Sequence, residues 1–307
     1  MLQRGFFLTD PFNPKPFWDN TVVNLLGNQK FDEDTLFPAG YYQVDVQAGS
    51  GGYAGTSVDI FGRTPSRRVV QTFVVGVPFI IRAYCGSRGF GATIGQNPYV
   101  GEFKVNSFIS NANVPTVSHI FGNAGSAAEY GHQDGNNYGA SGGNCLGDGA
   151  KTTNYDISSG AGSCLHFLPE GGVFGTDYLY AVHIAPGGVG VLTSGGGGSA
   201  YGGAGSGGAD SSTVRSGTSK NGGDTSFGTG GAGVYAAAGP AEVPGNDGTG
   251  IGAGFGGWAF ILPNQRACYG GAAYFDGTNW VDANSNGLFG DVAEDGHIIV
   301  EYLRPLV

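Results

Sequence analysis

The residues that could do chemistry in this chain are few and widely spaced. Its five histidines share no metal-ligand spacing, and no G-x-S-x-G nucleophile motif accompanies them. His183 and His297 lie inside strand patterns, where a hydrogen-bonded structural histidine is the expected role. The four cysteines form no C-x-x-C pair, so we expect reduced thiols or at most one bridge, for which Cys145–Cys164 is the available pair. The sequence therefore predicts no catalytic residue, no metal and no cofactor.

Glycine-rich and acidic motifs match ligand-binding patterns only in part. G-x-G-x-x-G occurs at 203–208 and 252–257, but a dinucleotide site needs a helix directly after it, and "ADSSTVRSGTSKNGG" does not predict one. "DANSNGLFGDVAE" (282–294) fits the first ligand positions of a calcium loop, yet Ala293 stands at the twelfth, so an Asx/Gly-rich turn is expected. The carboxylates of "FDEDT" are expected in a solvated turn. A paired-carboxylate hydrolase stays open as an alternative, because its acids pair in space rather than in sequence.

Charge and hydropathy exclude several classes of partner. The net charge of −10 argues against nucleic acid and anionic membranes, whose binding depends on Lys and Arg. No apolar stretch is long enough to span a bilayer, and the first residues lack the apolar core of a signal peptide; if Met1 is the natural start, we expect no export by the ordinary secretory route. One basic cluster is interpreted as solvated strand edges or subunit contacts: Arg63, Arg67, Arg68, Arg82 and Arg88.

The elements that must position these residues are strands. Alternating or β-rich apolar runs predict strands at 41–49, at 69–86 with a break at Gly76–Pro78, and at 101–110. Strands are predicted in the same way for "CLHFLP", "DYLYAVHIAPGG" and the C-terminal "DGHIIVEYLRPLV". The one short helix is expected near 20–26. Four regions are predicted: an extended Pro-rich arm (1–36), a β-rich region (37–120), a polar turn-rich insertion (121–170), and a glycine-rich β region ending in a strand (171–307).

Most of the 61 glycines follow residue 120 and are interspersed with aromatic or apolar residues. A flexible Gly/Ser linker usually lacks large apolar side chains, so these tracts predict packed backbone. Two packings are open: extended polyglycine segments side by side, or glycines of three chains meeting at a fibre axis. Either arrangement must offset the large conformational entropy that glycine loses on ordering.

Four segments in this order resemble the glycine-rich receptor-binding domain of bacteriophage tail fibres and related trimeric adhesive fibres. They are "FPAGYYQVDVQAGSGG" (37–52), "FVVGVPFIIRAYCGSRGFG" (73–91), G-G-x-T-S-F-G at 222–228, and D-G-x-I-I-x-E-Y at 295–302. The resemblance covers roughly residues 37–307, and the polar stretch 95–170 departs from it. It implies an all-β, glycine-rich fibre tip with short strands, extended polyglycine segments and little helix, assembled as a homotrimer.

The function implied is non-enzymatic recognition of a cell-surface glycan or outer-membrane protein by a virion tail fibre or an extracellular surface fibre. Multivalency lets such a tip work with weak single sites. The expected contact residues combine amides and carboxylates for sugar hydroxyls with tyrosines for stacking: Tyr130, His132, Asp134, Asn136, Asn137, Tyr138 and Asn144. The alternatives are a self-assembling filament or virion subunit, with "VVQTFVVGVPFIIRAY" as the pairing strand, and a fibre-borne depolymerase.

Overall fold

The computed structural model describes residues 20–27, 29–49, 66–86, 162–185, 248–254, 270–284 and 295–306, and the backbone of seven short strands elsewhere. This part of the chain is all-β, as the sequence predicts, with two antiparallel sheets and no α-helix. Both sheets bury one face against a common core.

The first sheet has four antiparallel strands, and the C-terminal strand lies inside it. In spatial order they are β1 (Thr21–Leu26), β18 (His297–Pro305), β4 (Gly40–Gln47) and β6 (Arg68–Val75). The predicted strands at 41–49 and at the C-terminus are thus direct neighbours.

The second sheet has seven strands, again antiparallel. Their path is β17 (Trp280–Asp282), β16 (Ala272–Phe275), β10 (Tyr180–Ile184), β9 (Ser163–Pro169), β7 (Phe79–Tyr84) and β2 (Lys30–Phe31), with β3 (Leu36–Phe37) also pairing β7.

The remaining short strands form small separate ladders. β5 (Ala54–Gly55) pairs in parallel with β8 (Ala92–Thr93), and β11 (Gly190–Val191) pairs antiparallel with β12 (Ser194–Gly195). The third ladder is antiparallel and consists of β13 (Ala209–Ser211), β14 (Gly217–Ser219) and β15 (Tyr235–Ala236).

Alternation along β4 shows why these sequences form strands. Tyr42, Val44 and Val46 are fully buried, while the residues between them lie half-buried on the outer face of the first sheet. The run 69–86 breaks at Gly76–Pro78, as predicted, and the break transfers the chain from β6 in the first sheet to β7 in the second.

Aromatic rings join the two sheets across the core. Tyr42 of the first sheet meets Phe79 edge-on, with ring centroids 4.9 Å apart, and Phe79 stacks on Phe167 at 4.6 Å. Near the edge of the first sheet, Phe73 stacks on Tyr180 at 4.6 Å. Such pairs add about 0.5–1.5 kcal/mol each beyond the area that they bury.

Glycine backbone packs directly against other backbone at several described positions, of which Gly271 and Gly296 are the tightest. A Cβ on Gly271 would overlap the carbonyl group of Gly252, with the carbonyl carbon only 2.7 Å away. A Cβ on Gly296 would lie 2.6 Å from the carbonyl oxygens of both Gln47 and Gly86. At both positions two chain segments approach more closely than any side chain allows.

The helix expected near 20–26 is wrong, because this segment forms β1. Val23 and Leu25 alternate into the core, and β18 supplies a hydrogen-bonding partner strand. The predicted arm 1–36 is described from residue 20 and includes β1 and β2, while the predicted insertion 121–170 is described from 162 and includes β9. The strand predicted at 101–110 lies outside the described residues.

Candidate functional site

The seven predicted contact residues all lie outside the described part of the chain, so their role stays a prediction: Tyr130, His132, Asp134, Asn136, Asn137, Tyr138 and Asn144. The structure instead brings together two clusters of ionisable residues, one on the outer face of each sheet. These are a buried histidine pair on the second sheet and an aspartate-centred cluster on the first.

The histidine pair joins β9 and β10. His166 and His183 are both 0% exposed, and their Nε2 atoms are 2.7 Å apart. The strand register makes them diagonal neighbours, with Ala181 opposite His166 and Ala273 opposite His183. These two alanines leave room above the sheet for both imidazole rings.

Aromatic rings enclose the pair. Phe174 lies 4.5 Å and Tyr178 5.7 Å from the His166 ring, measured between centroids, while Trp280 lies 4.6 Å from His183. Trp280 Nε1 donates a 3.3 Å hydrogen bond to the Tyr178 hydroxyl, which joins two walls of the enclosure. The imidazoles are therefore held in a largely apolar cage.

Burial disfavours a positive charge on the pair. Desolvation lowers the pKa of His166 from 6.5 to about 3. A 2.7 Å contact between two neutral rings requires one Nε2–H to donate to the lone pair of the other Nε2. The pair thus shares one proton along that contact.

Neither ring of the pair is exposed, and neither belongs to a metal-binding group among the described side chains. Both rings are fully buried, so a substrate in solution does not reach them. Within the described ranges, no group of three or more His, Cys, Asp or Glu side chains could hold a metal ion. Cys164, opposite His183 in the register, is a free buried thiol and forms no disulfide.

The second cluster is centred on Asp45 of β4. Arg68 donates through both Nε (2.8 Å) and Nη2 to the carboxylate, and His297 Nε2 lies 2.9 Å from Oδ1. Burial raises the pKa of Asp45, but the hydrogen bonds and charges of Arg68 and His297 outweigh it and hold that pKa well below its usual range. His297 is therefore a hydrogen-bonded strand histidine, as the sequence predicts.

The rest of this outer face is half-exposed and chemically mixed. Tyr41, Gln43 and Glu301 lie along neighbouring strands, and the Arg304 guanidinium sits 4.2 Å from the centre of the Tyr41 ring. Val74, opposite Tyr41 on the edge strand β6, is 45% exposed. The first sheet thus presents aromatic, amide and charged groups on a rigid surface.

The arginine cluster is not made of solvated edges alone. Arg67 is 4% exposed. Arg82 donates to the Glu33 carbonyl oxygen at 2.6 Å and pairs with Asp34. The two Arg82 contacts hold the acidic turn "FDEDT" against β7. The Asp34 side chain is 88% exposed, in line with a solvated turn. Arg63 and Arg88 lie outside the described residues.

The calcium-like motif begins as a structural turn. Asn284 Oδ1 accepts a 2.8 Å hydrogen bond from the Ala272 amide, and its Nδ2 donates to the Ala253 carbonyl at 2.8 Å. Asp282 Oδ1 accepts from the Asn284 amide at 3.0 Å. After the first G-x-G-x-x-G match the chain enters strand β13 rather than the helix that a dinucleotide site needs.

Sequence reasoning identified His183 as a strand residue but missed its partner. The available signal was a histidine in each of two consecutive predicted strands, "CLHFLP" and "YAVHI". Joining those strands as a hairpin brings the two histidines near each other, but the register that makes them diagonal neighbours depends on the loop between them.

No family model and no curated protein matches this chain. Within the described ranges, no helix has both the length and the apolar character needed to cross a bilayer.

Proposed function

We propose that this protein is a non-enzymatic, tail-fibre-type adhesive protein that recognises a glycan or protein on a cell surface. Its place is the tip of a virion tail fibre or of an extracellular surface fibre, where it works as a homotrimer. The glycine-rich tracts serve as rigid packed backbone in this proposal, and the contact residues are carried on that support.

One observation carries the proposal: three of the segments on which the resemblance rests meet at Gly296. The Gly296 amide donates a 2.9 Å hydrogen bond to the Gly86 carbonyl, and a Cβ on Gly296 would lie 2.6 Å from the Gln47 carbonyl oxygen. Gly86 belongs to the second segment, Gln47 to the first and Gly296 to the D-G-x-I-I-x-E-Y segment. Because the three segments depend on one close contact in the fold, there is a physical reason for a chain to carry all three of them.

The charge distribution of the first sheet is compatible with this function. Its outer face offers a tyrosine, amides and carboxylates, which suit sugar hydroxyls and pyranose faces, without the uniform positive charge that nucleic acid needs. The seven predicted contact residues would add the same chemistry. A fibre tip with three copies of such a weak site gains avidity of about 10²–10⁴ when the sites bind together.

Cell binding tests the proposal directly. The labelled chain should bind susceptible bacterial cells, and Tyr130→Ala with Tyr138→Ala should abolish binding without changing the mass measured by light scattering. Tyr41→Ala tests the outer face of the first sheet as the other candidate binding surface. Loss of binding in Tyr41→Ala alone would move the site to the first sheet, and failure of the unaltered chain to bind any cell of a broad panel would refute the function.

A self-assembling structural subunit is the second candidate, and the position of β6 favours it. This strand forms an edge of the first sheet among the described strands, and Val74 on it is exposed. An exposed edge strand is a template for pairing with another chain. Light scattering distinguishes the two functions: a closed assembly of three 31.3 kDa chains supports the fibre tip, whereas open polymers that Val74→Lys disperses support the subunit.

A further inference from the structure

The two outer strands of the first sheet, β1 and β6, each leave one side of their backbone without a neighbouring strand among the described residues. On β1 the open side follows from the Gly27 amide, which donates to the Gly296 carbonyl beside β18. Backbone direction alternates along a strand, so Leu25 also turns its amide and carbonyl towards β18. Asn24 and Leu26 therefore turn theirs away from the sheet.

The same alternation fixes the open side of β6. The Tyr180 hydroxyl donates a 2.6 Å hydrogen bond to the Val74 carbonyl, which places that carbonyl on the side away from β4. Val70 and Thr72 share this side, and following the register from β18 through β4 gives the same assignment. Within the described part of the chain, the outward amides and carbonyls of Val70, Thr72 and Asn24 have no hydrogen-bond partner.

Side chains close one end of each open edge. Gln29 Oε1 accepts a 3.0 Å hydrogen bond from the Leu26 amide on β1, as Tyr180 occupies the Val74 carbonyl on β6. At its other end β1 has a bulge, next to Thr21. The backbone groups that stay open are therefore confined to a short stretch in the middle of each edge.

These open groups fit each other in one register. When Thr72 lies opposite Asn24 of a second copy, the two residues exchange both backbone hydrogen bonds, and the Val70 amide donates to the Leu26 carbonyl of that copy. The register also sets polar beside polar and apolar beside apolar, Thr72 with Asn24 and Val70 with Leu26. Shifting it by one such pair in either direction places a valine opposite Asn24.

The sheet supplies the strand direction that this pairing needs. Its four strands are all antiparallel to their neighbours, so β1 and β6 run in opposite directions. Copies related by rotation about an axis along the strands thus join β6 of one copy to β1 of the next as an antiparallel pair. The sequences 21–26 and 69–75 contain neither a charged residue nor a proline, the residues that commonly protect an edge from pairing.

We propose that β6 of one copy pairs with β1 of the next, with Thr72 opposite Asn24, and that three copies close head to tail into a ring. Only the number of copies rests on the proposed function. The ring presents the outer face of the first sheet at three equivalent positions around one axis.

Chemical cross-linking tests the pairing. Within one copy, positions 72 and 24 are separated by β18 and β4, which is about 14 Å at the usual strand spacing. A variant carrying Thr72→Cys with Asn24→Cys is treated with a bismaleimide shorter than that span, and the products are separated by denaturing electrophoresis. We expect covalent dimers and trimers, with a link between positions 72 and 24 mapped by mass spectrometry.

Single variants and one matched pair control the cross-linking. Thr72→Cys alone and Asn24→Cys alone should give no link at these positions, and they also report any reaction of the four native cysteines. Thr278→Cys with Asn24→Cys is the matched control, because Thr278 is exposed as Thr72 is but lies on the turn between β16 and β17. This pair should stay unlinked.

Thr72→Pro disrupts the pairing from the open side. The Thr72 amide faces away from β4, and an edge strand accepts proline where its amide faces solvent. The mass measured by light scattering should fall threefold, from three chains to a single chain of 31.3 kDa, with an unchanged circular dichroism spectrum.

The outcomes separate the pairing from the proposed function. A trimer without the 72–24 link overturns the pairing and leaves the function standing, whereas a linked trimer that binds no cell supports the pairing and refutes the function. A link formed by Thr72→Cys alone overturns the head-to-tail arrangement, because it shows β6 pairing with its own copy. Monomers or open polymers of the wild-type chain overturn the closed ring. The cross-linking result decides even if Thr72→Pro does not fold.

Discussion

Replacing Gly271 with Ala should destabilise the protein far more than the same change at a glycine with open space around it. Gly271 is buried beside the Gly252 carbonyl, and a Cβ there would lie 2.7 Å from the carbonyl carbon. Real Cβ atoms essentially never approach closer than 3.0 Å, so the two backbone segments must separate.

Separation also strains the hydrogen bonds around this contact. The Gly271 carbonyl accepts from the Ala185 amide at 2.9 Å, and Asn284 links the neighbouring Ala253 carbonyl to the Ala272 amide with bonds of 2.8 Å each. Overpacking costs about 1–3 kcal/mol, and weakening the Ala185 bond and the Asn284 link adds about 1 kcal/mol each. We therefore expect a loss of about 3–5 kcal/mol in the free energy of unfolding.

Gly76→Ala is the matched control, because a Cβ on Gly76 meets nothing within 4 Å. Its exposed position and ordinary φ predict a neutral change or a gain of about 0.4–1 kcal/mol through a less flexible unfolded chain. Urea unfolding followed by circular dichroism measures both variants. Equal midpoints for Gly271→Ala and Gly76→Ala, with unchanged slopes, would refute the claim that backbone packs against backbone here.

Three further predictions concern side chains of the two sheets. Asp45→Asn should lower the free energy of unfolding by about 1.5–3 kcal/mol at pH 7, because Arg68 and His297 lose a charged acceptor. Since the folded pKa of Asp45 lies below its ordinary 3.8, the wild-type advantage is complete above pH 3.8 and shrinks as the pH falls below it. Urea unfolding at pH 7 and pH 3 measures this change. Phe167→Ala should cost about 3–5 kcal/mol in the same assay, because this fully buried ring contacts aromatic rings from both sheets. Burial raises the pKa of the Cys85 thiol to about 12, so 5,5′-dithiobis(2-nitrobenzoate) at pH 8 should label it only after unfolding, and rapid labelling of the folded chain would contradict its buried position.

Local patterns predicted the strands whose two faces differ in environment. β4 alternates between core and outer face, and the Gly76–Pro78 break separates two strands because proline and glycine disfavour a continuous strand there. The sequence could not show that these strands enter opposite sheets, since that depends on contacts made far along the chain. Pairing of β18 with β4 joins residues 250 or more positions apart.

The segment 20–26 shows how tertiary context overrides a local pattern. "NTVVNLL" allows a short helix, but Val23 and Leu25 bury the same face as a strand once β18 lies beside them. The histidine pair depends on context in the same way. Its enclosure comes from two alanines and three aromatic rings that four separate segments bring together, and no spacing along the sequence encodes that arrangement.

Small residues explain how this protein admits polar groups into its interior. Ala181 and Ala273 make room for two imidazoles, while Gly271 and Gly296 admit neighbouring carbonyl groups. In each case the small residue is adjacent to a polar group that occupies the space a larger side chain would take. At Gly271 and Gly296, glycine therefore meets a requirement for close approach rather than for flexibility. Stability at these positions therefore depends on fit. Adding one methyl group there should cost more free energy of unfolding than removing a methyl group from an ordinary aliphatic core position. If these residues served flexibility instead, the added methyl group would cost less.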